Sequence, residues 1–325
     1  MNDVPLSDRN GTYGGNSGDK EGVLIGDQYF LIKYPRSTVD LNNTGSLSYT
    51  SAPLSEYIGS HIYEILGFDV HETALGIRNG KIVVACEDIC DDTHRLIEFR
   101  QLKNTYNNEL SKALDMTLHS TSKDHFTNLD EVRLHLQYNP EIRNIDGLQN
   151  RFWDCIVVDG LINNNDRNNG NWGILRSKTE SLLAPVYDNG SSFSPNIPES
   201  RLQNKLNNQK LLEEGALNGV TAFSLDGVHN AQFRKLLLAD IPELNEAVKR
   251  VVPVIVSKIN ECQSLIANIP ERCGGYEVIS PVRKQVYMEE LQIRVDKLLE
   301  PTLQHILQEE HQMDSSIDEF YDDER

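Results

Sequence analysis

Short apolar runs separated by turn-forming residues occupy the first ninety residues of the chain. Two such runs, at about 22–25 and 28–34, flank the pair Gly26-Asp27, and two more lie within 72–89 around Asn79-Gly80. Both dipeptides are typical of tight turns that join antiparallel strands. The pattern therefore predicts two β-hairpins.

A helix is predicted between the two hairpins. Its apolar residues recur at helical spacing, Gly67 marks its end, and the residues on that face are Leu54, Ile58, Ile62, Ile65 and Leu66. From about residue 95 long amphipathic segments dominate, which predicts a mainly helical part, and only 172–176 and 182–187 are typical of strands. The predicted helical segments are 96–120, 128–138, 148–162, 229–240, 243–267 and 281–311.

These elements predict an α+β fold of the two-lobed, protein-kinase-like kind. Residues 1–88 would form a small N-terminal lobe with an antiparallel sheet and one helix, and 89–312 a larger helical C-terminal lobe. Residues 313–325 are rich in acids, and we expect them to be a solvated, disordered tail.

Composition narrows the possible partners. The 325 residues carry a formal charge of −18, which disfavours direct binding of nucleic acid. The longest apolar runs fall short of the ~20 residues that a membrane span requires, and the first residues do not have the pattern of a signal peptide.

The five cysteines form no CxxC pair, so we expect reduced, packed thiols. The oligomeric state stays open.

The segment DRNNGN contains the first candidate catalytic residues. Asp166 and Asn171 stand five positions apart, the spacing at which a kinase loop brings a catalytic base and a magnesium-binding amide to one phosphate. Asp188, in the triplet DNG after a predicted strand, is a candidate ligand of the same metal ion. Each motif is also typical of an ordinary polar turn.

The N-terminal lobe offers candidate groups for binding phosphate. Lys33 lies in a predicted strand, and Glu56, early on the following helix, could hold it by an ion pair. Alone, these are a commonplace strand lysine and first-turn glutamate. Glycines near the N-terminus offer backbone amides to phosphate, although a glycine-rich terminus needs no ligand; the candidates are Gly14, Gly15 and Gly18.

The order of these signals along the chain resembles the HipA-like branch of the protein-kinase superfamily. DRNNGN is similar to that family's loop D-x-H-x-K-N, and Tyr187-Asp188 to its following Tyr-Asp. The resemblance implies Asp166 as catalytic base, Asn171 and Asp188 as Mg²⁺ ligands, and Lys33, paired with Glu56, as the lysine that binds the phosphates of ATP. It also implies a hinge whose backbone groups bond adenine, formed by Ala85, Cys86, Glu87 and Asp88.

Two residues depart from the family's loop. Asn168 and Gly170 stand where the family has His and Lys, so the loop lacks the cation that would steady the γ-phosphate. One hypothesis is that Arg167 substitutes for it.

The resemblance implies an ATP- and Mg²⁺-dependent Ser/Thr protein kinase with a protein substrate. It further implies synthesis in a bacterial cytoplasm and export to act on a host protein in pro-inflammatory signalling. Autophosphorylation is a separate hypothesis, motivated by hydroxyl residues of the N-terminal segment. Ser17, in the glycine-rich segment, is a candidate acceptor. Two alternatives stay open: a catalytically silent nucleotide-binding module that recruits a partner, and a small-molecule kinase.

Overall fold

The computed structural model describes residues 20–37, 49–121 and 127–322, with side chains up to residue 312. Its N-terminal sheet is antiparallel, in the order β1-β2-β4-β3. The four strands are β1 (Lys20–Ile25), β2 (Gln28–Lys33), β3 (Thr73–Arg78) and β4 (Lys81–Glu87). Gly26 and Asn79 adopt positive φ angles of 62° and 51°, as tight hairpin turns require. Both predicted hairpins are present.

Helix α1 (Ala52–Ile65) packs against this sheet with the predicted apolar face. Leu54, Ile58 and Ile62 are buried, and so is the charged Glu56, which is 1% exposed. Gly59 lies so close to the loop that contains Asn189 that a Cβ atom there would come within 2.9 Å of the Cβ of that residue. The absence of a side chain at Gly59 therefore lets α1 contact that loop directly.

A second sheet of three strands lies at the start of the C-terminal part. It has the order β5-β7-β8, with β5 at Arg95–Glu98, β7 at Gly173–Arg176 and β8 at Ser181–Leu183. The sequence predicts helix from residue 96, which is wrong for β5: Ile97 pairs with Ile174, a partner far away in the sequence. Helix α2 (Phe99–Leu114) begins only after Glu98, which caps it.

The rest of the chain is mainly helical. The remaining helices are α3 (Leu129–Tyr138), α4 (Leu148–Ile162), α5 (Glu199–Leu206), α6 (Gln209–Leu217), α7 (Phe233–Leu236), α8 (Pro242–Asn268), α9 (Pro281–Arg294) and α10 (Glu300–Asp322). A π-helical turn, Val295–Leu299, joins the last two. Short strands pair as β6 (Thr127–Asn128) with β9 (Phe223–Ser224) and β10 (Arg272–Cys273) with β11 (Tyr276–Glu277).

Three differences from the predicted helices have local causes. Helices α5 and α6 are too short to show a clear period in the sequence. The predicted helix 229–240 shrinks to the single turn of α7, because Gln232 forms a β-bridge with Val220. Helix α10 continues past the predicted boundary at 312, as neither glycine nor proline interrupts residues 302–322. Residues 323–325 lie outside the described part of the chain.

Helix α4 forms the centre of the large apolar core and packs mainly on α8. Eleven of its fifteen residues are buried, so it is enclosed by the protein on nearly every side. Its C-terminal end delivers the chain to the loop that contains Asp166. Among the helices that the structure describes, none is long and apolar enough to cross a membrane.

Replacing Gly173 by alanine should destabilise the fold. A Cβ atom there would lie 2.2 Å from the Ile97 carbonyl oxygen, so β5 and β7 would have to separate. We expect a loss of about 2–3 kcal/mol in the free energy of unfolding, measured by urea denaturation.

Gly160→Ala is the matched control. Its Cβ would lie in ordinary van der Waals contact with Phe233 and Leu237, at 3.4 and 3.5 Å, and alanine favours the helix more than glycine does. We expect it to lie within about 1 kcal/mol of the parent protein. Equal losses for the two variants would contradict this view of the β5–β7 pair.

Candidate active site

The candidate site is centred on the ammonium group of Lys33, at the end of β2. Its Nζ lies 2.8 Å from Glu56 Oε2 on α1 and 2.9 Å from Asp188 Oδ1 in the loop after β8. The side chain of Glu56 is 1% exposed, whereas that of Asp188 is 39% exposed. The structure thus brings together three of the predicted residues, with one carboxylate buried and the other open to the cleft.

Both members of the inner pair stay charged. Burial alone would lower the pKa of Lys33, but the carboxylates of Asp188 and Glu56 outweigh it and hold that pKa well above its ordinary value. Burial would raise the pKa of Glu56, and Lys33 together with His71 reverses this, so that it lies well below 4.5. A fixed positive charge therefore faces the cleft at neutral pH.

The second oxygen of Glu56 is also bonded. Oε1 accepts a hydrogen bond of 2.9 Å from the backbone amide of Asn189 and lies 3.2 Å from Nε2 of His71. The His71 ring also lies 3.2 Å from Ser60 Oγ. Glu56 is thereby held from two sides, and its side chain has little freedom to leave Lys33. Sequence reasoning did not identify His71, because a single histidine before a strand carries no motif.

The loop after α4 places Asp166 next to Asn171. Asn163 ends α4 with a positive φ of 53°, and the Nδ2 of Asn171 then donates a hydrogen bond to the Asp166 carbonyl. The Asp166 carboxylate accepts one of 2.7 Å from Asn168. Asp166 is exposed to the cleft, while Asn171 is mostly buried. The spacing D-x-x-x-x-N does bring its two end residues together.

The ionisation of Asp166 depends on its surroundings. Neighbouring protein atoms shield part of the carboxyl group from water and raise its pKa above the ordinary 3.8, and the nearby charge of Asp188 acts in the same direction. The hydrogen bond from Asn168 opposes this shift. The carboxylate is thus a stronger base than one in water.

Arg167 does not face the cleft, so the hypothesis that it replaces the missing loop cation is wrong. It is 3% exposed, and its Nε lies 2.9 Å from the buried Asp159. It also donates to Asn189 Oδ1 at 2.6 Å and to the carbonyls of Tyr187 and Asn171 at 2.6 and 3.1 Å. Arg167 ties the Asp166 loop to the Asp188 loop from inside the protein.

Asp188 and Asn189 point in opposite directions because of the backbone between them. Asp188 has a φ of 61°, a left-handed conformation that aspartate tolerates better than most residues. Its side chain reaches Lys33, while Asn189, fully buried, contacts Arg167 and Ser60. The turn DNG therefore directs one side chain to Lys33 and the next into the protein interior.

The segment predicted as the hinge is the end of a central strand. Cys86 pairs with Leu31 on one side and Thr73 on the other. The amides of Glu87 and Asp88 donate to the carbonyls of Glu72 and Tyr29, at 2.8 and 2.9 Å. Those two amides are therefore bonded within the sheet, and an adenine contact from this stretch would use its carbonyls or the residues that follow.

The thiol of Cys86 lies behind the lysine pair. Its sulfur, the Glu56 carboxylate and the His71 ring lie within 4.8 Å of one another. Burial raises the pKa of the Cys86 thiol strongly, and Glu56 already binds Lys33. We therefore interpret the thiol as protonated and packed. Gly14, Gly15 and Gly18 lie outside the described residues.

The donor set suits magnesium bound to nucleotide phosphates. Mg²⁺ prefers carboxylate and amide oxygens, and Asp188 presents a partly exposed carboxylate. The Nδ2 of Asn171 is used by Asp166, which leaves the amide oxygen as its ligand atom. Asn171 and Tyr187, the residue before Asp188, both accept hydrogen bonds from Arg167, so the two candidate ligands are held on one support.

A sheet lobe with a buried lysine–glutamate pair, facing a helical lobe with an aspartate–asparagine loop, defines a kinase-like fold. The chain is 32% identical over 262 residues to the serine/threonine-protein kinase CtkA of Helicobacter pylori, covering 79% of this chain and 75% of that protein. No family model matches the chain.

Two solved structures are similar to this one. The crystal structure of the Helicobacter pylori proinflammatory kinase CtkA superposes with a TM-score of 0.79 at 27% identity, covering 94% of this chain and 97% of that chain. HipA of Shewanella oneidensis, in a complex with HipB and operator DNA, gives 0.54 at 10% identity over 93% and 70% of the two chains, which shows the fold alone.

The chain belongs to the protein family of the serine/threonine kinase CtkA. The predicted α+β, HipA-like kinase fold is confirmed, and so is the predicted class of enzyme.

Replacing Arg167 by methionine should destabilise the protein strongly. The change would leave the Asp159 carboxylate buried without its cation, at a cost of about 3–5 kcal/mol. Urea denaturation measures the loss.

The matched control is Arg133→Met, since Arg133 pairs at the surface with Glu243, which is 46% exposed. We expect this variant to lose less than about 1 kcal/mol. A similar loss for both would show that Arg167 is not the internal tie described above.

Proposed function

We propose that this chain is an ATP- and Mg²⁺-dependent protein Ser/Thr kinase. The observation that carries the proposal is the placement of Lys33 between Glu56 and Asp188, opposite the loop with Asp166 and Asn171. Phosphoryl transfer needs positioned charges more than covalent chemistry, and these five residues supply them. The family relationship to CtkA supports the same activity.

The chain's own residues would divide the task. Lys33, kept in place by Glu56, would bind the phosphates, and Asp188 and Asn171 would hold the metal ion. Mg-ATP, when bound, would supply the γ-phosphoryl group, and the metal would neutralise charge on its phosphates. The substrate hydroxyl oxygen bonds to the γ-phosphorus while the bond to the bridging oxygen breaks, so that ADP leaves.

Asp166 would receive the proton of the accepting hydroxyl group. Its carboxylate is exposed to the cleft, and its raised pKa makes it a better proton acceptor than a solvated carboxylate. The bond from Asn168 fixes the orientation of the carboxylate. Positioning and acid–base chemistry thus reside in one short loop.

The substrate is proposed to be a protein. The formal charge of −18 favours basic target segments through long-range attraction. We further propose autophosphorylation, with Ser17 as an acceptor outside the described residues, and export to act on a host protein, as the proinflammatory kinase CtkA suggests. Mass spectrometry after incubation with ATP would detect added phosphate on the N-terminal peptide.

Substitution of Asp166 or Asp188 by asparagine should abolish most phosphoryl transfer. We expect a loss of about 10²–10⁴ in rate for Asp166→Asn, measured with labelled ATP, Mg²⁺ and a basic protein substrate. Asp188→Asn should in addition require more Mg²⁺ for half-maximal rate, because one ligand of the metal is weakened.

The control is Asp130→Asn, an exposed aspartate at the start of α3. It should retain the parent rate. ATP binding without transfer by the parent protein would favour the silent module, the alternative that Asn168 and Gly170 motivate. Transfer to a sugar or lipid headgroup but not to proteins would favour a small-molecule kinase.

The acid side of the pH–rate profile should report Asp166. A base must be ionised to accept a proton, so the rate is lost as the pH falls through its pKa, which lies above 3.8. Asn168→Ala removes a bond that stabilises the carboxylate, so this pKa should rise and the acid limb should move to higher pH. Rates at saturating Mg-ATP measure the shift; an unmoved limb would exclude Asp166 as the titrating base.

A further inference from the structure

The Asp166 loop itself offers no cation to the transferred phosphate. Charge spreads over the three outer oxygens of the γ-phosphoryl group as the transfer proceeds, and a cation fixed beside them lowers the barrier. Within the loop the only cation is Arg167, which is turned inward and bonded to Asp159. Gly170, where the resembling family has a lysine, has no side chain.

The guanidinium of Arg100 occupies the space next to Gly170. A Cβ atom built on Gly170 would lie 3.8 Å from Arg100 Cζ and 3.6 Å from Glu98 Oε2. A lysine at position 170 would therefore be placed against an existing cation. Arg100 thus places a positive charge beside the position where the similar family has its lysine.

Hydrogen bonds hold Arg100 to the loop. Its backbone amide donates to the Asn169 carbonyl at 2.7 Å, and the amide of Phe99 donates to the Trp172 carbonyl at 2.9 Å. The first turn of α2 is thus attached to the loop on both sides of Gly170. The guanidinium of Arg100 pairs with Glu98, and the Arg100 side chain is 27% exposed.

The position of Arg100 on its helix also indicates a role beyond helix stability. It is the second residue of α2, where the helix dipole disfavours a positive charge. Helix starts prefer Asp and Glu there, so arginine is the less favourable choice locally. The charge instead lies next to Glu98 and the loop at Gly170.

We propose that Arg100 supplies the cation that contacts the γ-phosphate of ATP, in place of a lysine at position 170. The inference rests on the proposed function of the site. The rival is an ion pair with Glu98 that only supports the start of α2. The two differ in what they predict for a ligand that lacks the γ-phosphate.

The test compares ATP and ADP binding and the transfer rate in four variants. Arg100→Met removes the charge, Arg100→Lys keeps it, and Arg100→Met with Gly170→Lys moves it into the loop. Arg133→Met is the matched control, since its ion pair with Glu243 lies at the surface on α3. Titration calorimetry gives the two affinities, and labelled ATP gives the rate.

We expect Arg100→Met to lose roughly ten- to a hundredfold in kcat, and to bind ATP more weakly while ADP binding stays unchanged. Arg100→Lys should keep most of both properties. The Gly170→Lys double variant should recover part of the rate and of the preference for ATP. An Arg100→Met protein with the parent ratio of ATP to ADP affinity and the parent kcat would overturn the proposal.

Failure of the inference and failure of the proposed function look different. A parent protein that transfers phosphate, alongside an unaffected Arg100→Met variant, overturns the inference alone. A parent protein that binds ATP without transfer overturns the proposed function, and the ATP-to-ADP ratio still decides the role of Arg100. A parent protein that binds neither nucleotide overturns both.

Discussion

The buried ion pair between Lys33 and Glu56 is the interaction on which the rest of the site depends. A carboxylate that is 1% exposed costs free energy unless its charge is balanced and its oxygens are bonded. Here one oxygen contacts Lys33, while the other accepts from Asn189 and lies beside His71. Because those partners come from the sheet, the loop after β8 and the segment before β3, the pair joins the two lobes.

A second buried pair, between α4 and the loop that follows it, repeats this design. Arg167 and Asp159 are both almost fully buried, and Arg167 reaches Asn189 as well as the carbonyls of Tyr187 and Asn171. Asn189 therefore lies between the two ion pairs and contacts both. The exposed residues of the cleft, Asp166 and Asp188, are supported from behind by charges that cannot move without breaking buried contacts.

The sequence predicted correctly those features that depend on residues close together in the chain. The turns at Gly26-Asp27 and Asn79-Gly80, the apolar face of α1 and the loop spacing from Asp166 to Asn171 are all local, and the structure contains each of them. Strand β5 was missed because Ile97 acquires its strand partner, Ile174, only through the fold.

The buried contacts behind the site could not be predicted from the sequence either, because they join residues of different segments that meet only in the folded chain. In the sequence Arg167 is the only positively charged residue of the loop, and it is therefore a natural candidate for the phosphate. Only the structure shows that Asp159, a buried aspartate in the preceding helix, binds it. Arg100 stands seventy positions before Gly170, so only the folded chain shows that the two lie side by side. The roles of the individual site residues stay predictions.

Nucleotide binding requires one rearrangement at this site: Asp188 must exchange the ammonium of Lys33 for a metal ion. A crystal structure of the protein with Mg²⁺ and a non-hydrolysable ATP analogue tests this directly. We predict that Lys33 keeps Glu56 and moves from Asp188 to the phosphates, with Mg²⁺ on Asp188 and Asn171. Nucleotide bound elsewhere, with the contact between Lys33 and Asp188 intact, would contradict the account.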